Sequence, residues 1–190
     1  MLIFFSPRQK FYFKTTEMIV CDGNYKFKPV GSHEVYRVFG FVKKIHSMLQ
    51  IAAFPKQKDK KTFKKMWENS IAKAFDEPIK LKITLFDHEF NAHDTFKKRF
   101  PGVDIKMCSL HVKQNVNKQV QEKRLPVEYQ DDRNVQDVVR MLGALQLSPP
   151  EVWPHTLMLI HQRIQDRFNL VVNRLNELVE FFFVSNFFCE

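Results

Sequence analysis

The sequence predicts an α/β fold, with an antiparallel meander of strands, then parallel strands joined by helices, then a region built of helices only. Three observations indicate this order. Short β-branched and aromatic runs fill the first 54 residues. Helical and strand-like patterns alternate from Pro55 to about residue 124, and apolar residues at helical spacing continue alone from Asp131 onward.

The size and charge of the chain limit the class of protein to which it can belong. With 190 residues, of which 44% are hydrophobic, it can enclose one ordinary core with a helical appendage. Its 30 Lys and Arg against 21 Asp and Glu give a formal net charge of +9, which favours an anionic partner such as nucleic acid. No stretch approaches the roughly 18 apolar residues of a membrane span, so we expect no membrane partner. Nothing in the sequence indicates a small-molecule substrate.

The cysteines indicate the compartment. Cys21, Cys108 and Cys189 are too few and too scattered for a disulfide framework or a four-ligand zinc site. The N-terminal segment also lacks the features of a signal peptide. We therefore expect an intracellular protein.

The predicted strands of the first half are "LIFF", "KFYFK", "EMIVCD", "YKFKP", "VYRVFGFVKK" and "IHSMLQIAAF". The turn-like segments "SPR", "DGN" and "VGSH" separate several of them and predict antiparallel hairpins. The alternating aromatics of this region are expected to pack within the sheet rather than to stack on bases: Phe11, Phe13, Tyr25 and Phe27.

The period changes after Pro55. An amphipathic helix with a lysine-rich entrance is predicted from apolar residues at helical spacing: Phe63, Met66, Trp67, Ile71, Ala74 and Phe75. The segment "IKLKITLFD" predicts a strand that ends at Asp87, followed by a helix around Phe90 to Phe100. The segment "VDIKMC" predicts the next strand, followed by a helix from about Ser109 to Lys123.

The last third predicts helices. One helix is marked by Val135, Val138, Val139, Leu142 and Leu145, with Asp131 and Asp132 near its positive N-terminus. After the break at "SPPE", a single long helix is predicted from an uninterrupted apolar stripe: Leu157, Ile160, Ile164, Phe168, Val171, Leu175, Leu178 and Phe182.

Two aspartates are the candidate site residues. Asp22 and Asp87 each follow an apolar run that predicts a buried strand, and functional side chains in α/β sheets gather where strands end. Two carboxylates from neighbouring strands would suit Mg²⁺, and a pair of such ions can clamp a phosphodiester during its displacement. The alternative is that both residues cap local structure, Asp22 in the turn "DGN" and Asp87 at the start of the following helix.

Four segments, in order, resemble the Mutator-like element (MULE) transposases: "IVCDGNYKFKP", "VFGFVKKIHSMLQIAAFPKQKDKKTFKKMWE", "ITLFDHEFNAHDTFKKRFPGVDIKMCSLHVKQNVNKQV" and "LPVEYQDDRNVQDVVRMLGALQLSPPEVW". The resemblance implies an RNase H-like fold with a mixed sheet. It implies a partial transposase core over residues 1–124 and a helical insertion over residues 125–190, truncated before a helix that carries a catalytic glutamate. It also implies DNA transposition by metal-dependent phosphodiester cleavage and strand transfer, in the nucleus.

The resemblance also assigns residues. Asp22 in "DGNYK" matches the first catalytic and metal-binding acid, and Asp87 in "FDHE" the second, with Mg²⁺ or Mn²⁺ as the ion. Cys108 and His111 match a Cys-x-x-His that follows the second acid; they either bind zinc or are a packed thiol and a hydrogen-bonded imidazole. Glu89 either supports the metal site or is an exposed residue.

The third acid has no convincing match. The late glutamates Glu177, Glu180 and Glu190 lie in no recognisable motif. We therefore expect weak or absent catalysis, and the alternative function is a domesticated or decayed transposase-derived protein that binds DNA without cleaving it.

Two lysine clusters either contact phosphate or are solvated surface charge. The first is Lys56, Lys58, Lys60, Lys61, Lys64 and Lys65, and the second is Lys113, Lys118, Lys123 and Arg124. The apolar C-terminal run predicts partly exposed side chains and self-association: Phe181, Phe182, Phe183, Phe187 and Phe188.

Overall fold

The computed structural model describes residues 1–43, 47–68, 72, 80–87, 89–167 and 171–187. By internal packing the chain forms two compact units, Met1–Cys108 and Ser109–Glu190. The predicted boundary after residue 124 is a family boundary and stays a prediction. The predicted helix residues Ile71, Ala74, Phe75 and Phe168 lie outside the described part of the chain, as do Phe188, Cys189 and Glu190.

The first unit is an α/β unit, as predicted. Its strands are β1 (Leu2–Phe4), β2 (Met18–Asn24), β3 (Val35–Val42), β4 (Ser47–Phe54), β5 (Ile83–Phe86) and β6 (Asp104–Met107). Its helices are α1 (Pro7–Phe13), α2 (Lys60–Met66) and α3 (Phe90–Arg99). The strands form one sheet in the order β1-β4-β3-β2-β5-β6.

The sheet is mixed, which confirms the coarse prediction. Strands β2, β3 and β4 are an antiparallel meander, and β1 adds antiparallel to β4. Strand β5 pairs parallel with β2, and β6 pairs parallel with β5. Parallel neighbours need crossover connections, and α3 lies between β5 and β6 in the chain. The carboxyl ends of β2, β5 and β6 therefore lie at one edge of the sheet.

An aromatic core covers one face of this sheet. Trp67, at the end of α2, is fully buried and lies edge-on to Tyr36, Phe86 and Phe96 at centroid distances of 5.1 to 6.0 Å. Its indole N–H donates to the carbonyl of Ala92 over 3.0 Å, which ties α2 to α3. Buried aromatic rings prefer this edge-to-face arrangement. The core therefore fixes both helices against β3 and β5.

Two predicted strands are wrong. The segment "KFYFK" belongs to helix α1, because Ser6 forms a capping box with Gln9 and Pro7 is preorganised for the first helical turn. The segment "YKFKP" is a turn and coil after β2. The aromatic packing prediction holds only for Phe13, which is fully buried, whereas Phe11 and Phe27 are mostly exposed.

The second unit is helical in its described part. Its helices are α4 (Ser109–Glu122), α5 (Pro126–Asp131), α6 (Arg133–Leu145), α7 (Trp153–Arg167) and α8 (Val172–Phe187), with a short 3₁₀ turn at Pro150–Val152. The apolar face predicted for α6 is buried as expected, and Asp132 caps this helix by accepting from the Asn134 N–H over 2.8 Å.

The single long helix predicted after "SPPE" is wrong. The apolar stripe is shared by α7 and α8, and the two helices pack together: His161 Nδ1 lies 3.0 Å from Asn176 Oδ1. The stripe continues in the sequence because each helix buries its own apolar face. The predicted exposure of Phe182 is also wrong, since this side chain is 1% exposed and lies 6.2 Å from the Trp153 ring. Self-association stays a prediction.

No helix in the described ranges is long and apolar enough to cross a membrane.

Candidate functional site

The two predicted aspartates come from adjacent parallel strands. Asp22 lies inside β2, and Asp87 directly follows β5, whose last residue pairs with Cys21. The pairing continues one step further, because the Asp87 N–H donates to the Cys21 carbonyl over 3.2 Å. Asp87 therefore lies where its strand ends, as predicted, whereas the prediction that Asp22 ends its strand is wrong, because β2 continues through Asn24.

Asp22 is paired with an arginine. In the antiparallel register of β2 and β3 it lies opposite Arg37, and the guanidinium donates to the Asp22 carboxylate. Side chains alternate along a strand, so Asp22 projects from the face opposite to Cys21 and Gly23. Asp22 is no turn residue, because β2 continues through Asn24. Arg37 neutralises the first predicted acid.

Asp87 closes the gap between the two parallel strands. Its Oδ2 accepts from the Gly23 N–H over 3.0 Å. The same oxygen lies 3.3 Å from the position that a Cβ on Gly23 would take. The N-cap residue of α3 is Glu89, so the predicted role of Asp87 as that helix's cap is wrong. Asp87 is 7% exposed.

Beside Asp87 lies a buried glutamate that sequence analysis missed. Glu34 is fully buried, and its Oε2 lies 2.6 Å from the position of a Cβ on Gly23. Glu34 precedes β3 and is two residues before Tyr36, so it projects to the same face as this core residue. The missing side chain of Gly23 therefore leaves the space that Glu34 and Asp87 fill.

Lys58 supplies the positive charge for this group. Its Nζ lies 3.3 Å from Glu34 Oε2 and donates to the carboxylate of Glu89. The ammonium also lies 5.0 Å from the centroid of the Tyr25 ring, a cation–π contact. The Asn91 side chain donates to the Lys58 carbonyl over 2.8 Å and so anchors the segment to α3. We call Glu34, Asp87, Glu89 and Lys58 the carboxylate cluster.

Burial and charge shift the pKa values of this cluster. Burial raises the pKa of Glu34 to about 7, and the Lys58 ammonium opposes the rise while Glu89 and Asp87 add to it. Burial lowers the pKa of Lys58, but hydrogen bonds to Glu89 and Tyr25 and the Glu34 charge outweigh it, so the net shift is upward. Glu34 is thus an acid that changes protonation near neutral pH beside a permanent cation.

The predicted supporting residues Glu89, Cys108 and His111 belong to different structural elements. Glu89 belongs to the carboxylate cluster and its side chain is only 14% exposed, so its alternative as an exposed residue is wrong. Cys108 is a half-buried free thiol whose N–H donates to the Phe86 carbonyl over 2.7 Å, and it ends the first unit. His111 lies on α4 in the second unit. The choice between a zinc pair and packed side chains stays open for these two.

The predicted basic residues of α4 differ from one another. Lys113 and Lys118 are exposed, and Lys118 lies 3.4 Å from Glu122. Lys123 is half-buried and its Nζ lies 2.7 Å from Glu177 on α8. Arg124 follows the helix with a positive φ of 55°, and its carbonyl accepts from Arg174. Lys123 is thus engaged in a surface ion pair within the helical unit, and Lys113 and Lys118 are left as surface charge.

The donor atoms of this region suit a divalent cation, but their arrangement does not assemble one site. Carboxylate oxygens are the ligands that Mg²⁺ and Mn²⁺ prefer. Across the described ranges, however, no three His, Cys, Asp or Glu side chains are grouped so that they could hold a metal ion. The negative charges of Asp22 and Glu34 are instead balanced by Arg37 and Lys58. The described residues therefore do not fit the two-ion centre that the family resemblance implies.

The sequence contains a signal for Glu34 but none for Lys58. In "GSHEVYRVFG" the glutamate is in phase with Tyr36 and Val38, both fully buried, so a carboxylate on the core face could be predicted. Lys58 stands in a lysine-rich run where every neighbour is a plausible surface charge.

Comparison of the sequence with models of known protein families finds no match, and comparison with curated proteins finds none either. The similarity to the MULE transposases therefore rests on the motifs quoted above.

We predict that Gly23→Ala destabilises the fold, because the new Cβ would lie 2.6 Å from Glu34 Oε2 and would force the buried carboxylate to move. The expected loss in free energy of unfolding is about 1–3 kcal/mol, measured by urea denaturation. The control is Gly143→Ala, where no atom lies within 4 Å of the new Cβ and helix α6 gains up to about 1 kcal/mol. Equal effects of the two substitutions would contradict the close approach at Gly23.

We predict that stability falls as pH rises through neutrality. The pKa of Glu34 in the folded protein, about 7, lies above its ordinary value of 4.5, so between these values the folded state holds the proton more tightly than the unfolded state. Its contribution is therefore complete below pH 4.5 and is lost towards pH 7, by up to about 3 kcal/mol. Urea unfolding from pH 4.5 to 8 measures this loss of stability. Glu34→Gln should flatten this part of the profile, and the exposed control Glu180→Gln should not; matching profiles for Glu34→Gln and wild type would refute it.

Proposed function

We propose that the chain is a MULE-type transposase domain with an RNase H-like core, which acts on DNA. The observation that carries the proposal is the position of Asp22 and Asp87 on adjacent parallel strands at one edge of a mixed sheet. The meander of β2, β3 and β4, followed by parallel β5 and β6, agrees with the sheet that the resemblance implies. The predicted acid positions thus coincide with the edge where an α/β sheet places functional side chains.

DNA as the partner is supported by charge. The net charge is +9, and Lys113 on α4 is exposed. Binding of this kind is largely indifferent to sequence and weakens steeply with salt, because phosphate neutralisation releases counterions. A nuclear location is what the family resemblance implies for this activity.

The contacts of the two aspartates favour weak or absent DNA cleavage. The transposase chemistry that the resemblance implies is metal-dependent cleavage and transfer of a DNA strand by the two aspartates. Here the Asp22 carboxylate accepts from Arg37, and Asp87 accepts from the Gly23 backbone. These contacts make the aspartates structural elements of the sheet edge. The second candidate function, a transposase-derived protein that binds DNA without cleaving it, follows from the same contacts.

The test measures binding and nicking of duplex DNA in one preparation, with Mn²⁺, for wild type, Asp22→Asn and the control Asp104→Asn. Asp104 is an exposed acid at the start of β6 that pairs with Lys106 over 3.2 Å. We expect salt-sensitive binding in all three proteins and little or no nicking. Nicking that Asp22→Asn abolishes and Asp104→Asn keeps would instead establish the active transposase. A protein that neither binds at low salt nor nicks would overturn both functions.

A further inference from the structure

We propose that the loop between β2 and β3, residues 25–33, holds an unpaired DNA strand. Bases of the strand stack on the rings of Tyr25 and Phe27. Its phosphates contact the lysines that follow these rings, Lys26 and Lys28. The inference rests on the proposed function and names its substrate class as single-stranded DNA. Duplex DNA does not offer the same contact, because its bases are already stacked on one another.

The loop exposes aromatic and basic side chains in alternation. Tyr25 is 51% exposed and Phe27 is 81% exposed, and the lysine after each of them is exposed as well. No acidic residue occurs in the sequence between Asp22 and Glu34. Apolar side chains scattered singly over a surface are ordinary, but here the rings are interleaved with ammonium groups. Proteins that bind single strands combine these two groups, because every base has a face that can stack and every phosphate carries a charge.

Packing within the sheet does not explain this alternation. Strand β2 ends at Asn24, and Tyr25 and Phe27 follow it in the turn and coil that lead to β3. Their rings therefore take no part in the cross-strand pairs that alternating aromatics form inside a sheet. The alternation instead leaves both rings accessible to a ligand.

Hydrogen bonds fix both ends of the loop. At its start, the Lys26 N–H donates to Asn24 Oδ1 over 2.9 Å. At its end, the His33 N–H donates to the Pro55 carbonyl over 2.8 Å. The Tyr25 ring lies edge-on to the His33 ring at a centroid distance of 5.5 Å, which joins the two ends. A loop that is ordered before binding loses less conformational entropy when it binds.

The loop begins beside the second candidate acid. The Gly23 N–H donates to Asp87 Oδ2 over 3.0 Å, and Tyr25 follows two residues later. The Lys58 ammonium lies over the Tyr25 ring, 5.0 Å from its centroid. A strand stacked on the loop therefore approaches the edge of the sheet to which the proposed function assigns DNA. Because Lys58 occupies one face of Tyr25, the more exposed ring of Phe27 is the main stacking surface.

The test measures, by fluorescence anisotropy at low salt, the affinity for a labelled thymidine oligonucleotide and for a duplex of the same length. We expect Phe27→Ala to weaken single-strand binding by about 5- to 150-fold, the loss of one base stack, and to leave duplex binding unchanged. Phe27→Leu, which keeps an apolar side chain without a ring, should also weaken it, and Phe27→Trp should retain it. The control Phe11→Ala removes another exposed ring, on α1, and should change neither affinity.

The possible failures are distinguishable. If Phe27→Ala weakens single-strand and duplex binding equally, or weakens neither, the inference is overturned while the proposed action on DNA stands. Full single-strand affinity in Phe27→Leu would overturn it as well, because the contact would be apolar rather than stacked. A wild-type protein that binds neither DNA would overturn both the inference and the proposed function. Phe27-dependent binding to vesicles of phosphatidylserine and phosphatidylcholine in equal parts, without such binding to the oligonucleotide, would overturn the inference and assign the loop to a membrane surface.

Discussion

The burial of Glu34 beside Lys58 is the constraint on which the edge of the sheet depends. A carboxylate removed from water costs several kcal/mol unless it is protonated or paired, and this molecule uses both means. The pKa of Glu34 rises to about 7, and the Lys58 ammonium lies 3.3 Å away. The missing side chain of Gly23 leaves room for this carboxylate, and Asp87 binds the Gly23 amide from the neighbouring strand.

The same constraint connects the helices to the edge. Lys58 lies just before α2, and Glu89 just before α3, so their ion pair joins the starts of two helices. Trp67 joins the same helices from within the core through its hydrogen bond to Ala92. The carboxylate cluster therefore rests on a rigid support, which is the condition for a site whose groups keep fixed positions.

Much of this arrangement follows from local pattern. Strand alternation predicts β3 and β4, and the apolar runs before Asp22 and Asp87 correctly predict β2 and β5. Predictions failed where pattern was ambiguous: "KFYFK" alternates like a strand, but the Ser6 cap and Pro7 favour a helix. The long apolar stripe does not show where a helix turns back, since α7 and α8 bury matching faces.

The candidate site was predictable only in its acids. Asp22 and Asp87 follow from their positions at apolar runs, but their partners are set by register and by tertiary contacts. Arg37 faces Asp22 because β2 and β3 pair in one particular register, and Lys58 reaches Glu34 across 24 residues of chain. A lysine-rich run gives no means of distinguishing the one buried ammonium from its solvated neighbours. Electrostatic function at this edge thus depends on pairings that only the folded chain defines.

The most direct measurement of the central claim is a double-mutant cycle between Glu34→Gln and Lys58→Met, from urea unfolding at pH 8, where Glu34 is largely ionised. If the ammonium stabilises the buried carboxylate, Lys58→Met should cost much more in the wild-type background than beside Glu34→Gln, with a coupling free energy of about 1–3 kcal/mol. Additive effects, with coupling below about 0.5 kcal/mol, would contradict the claim that this pair holds the edge of the sheet.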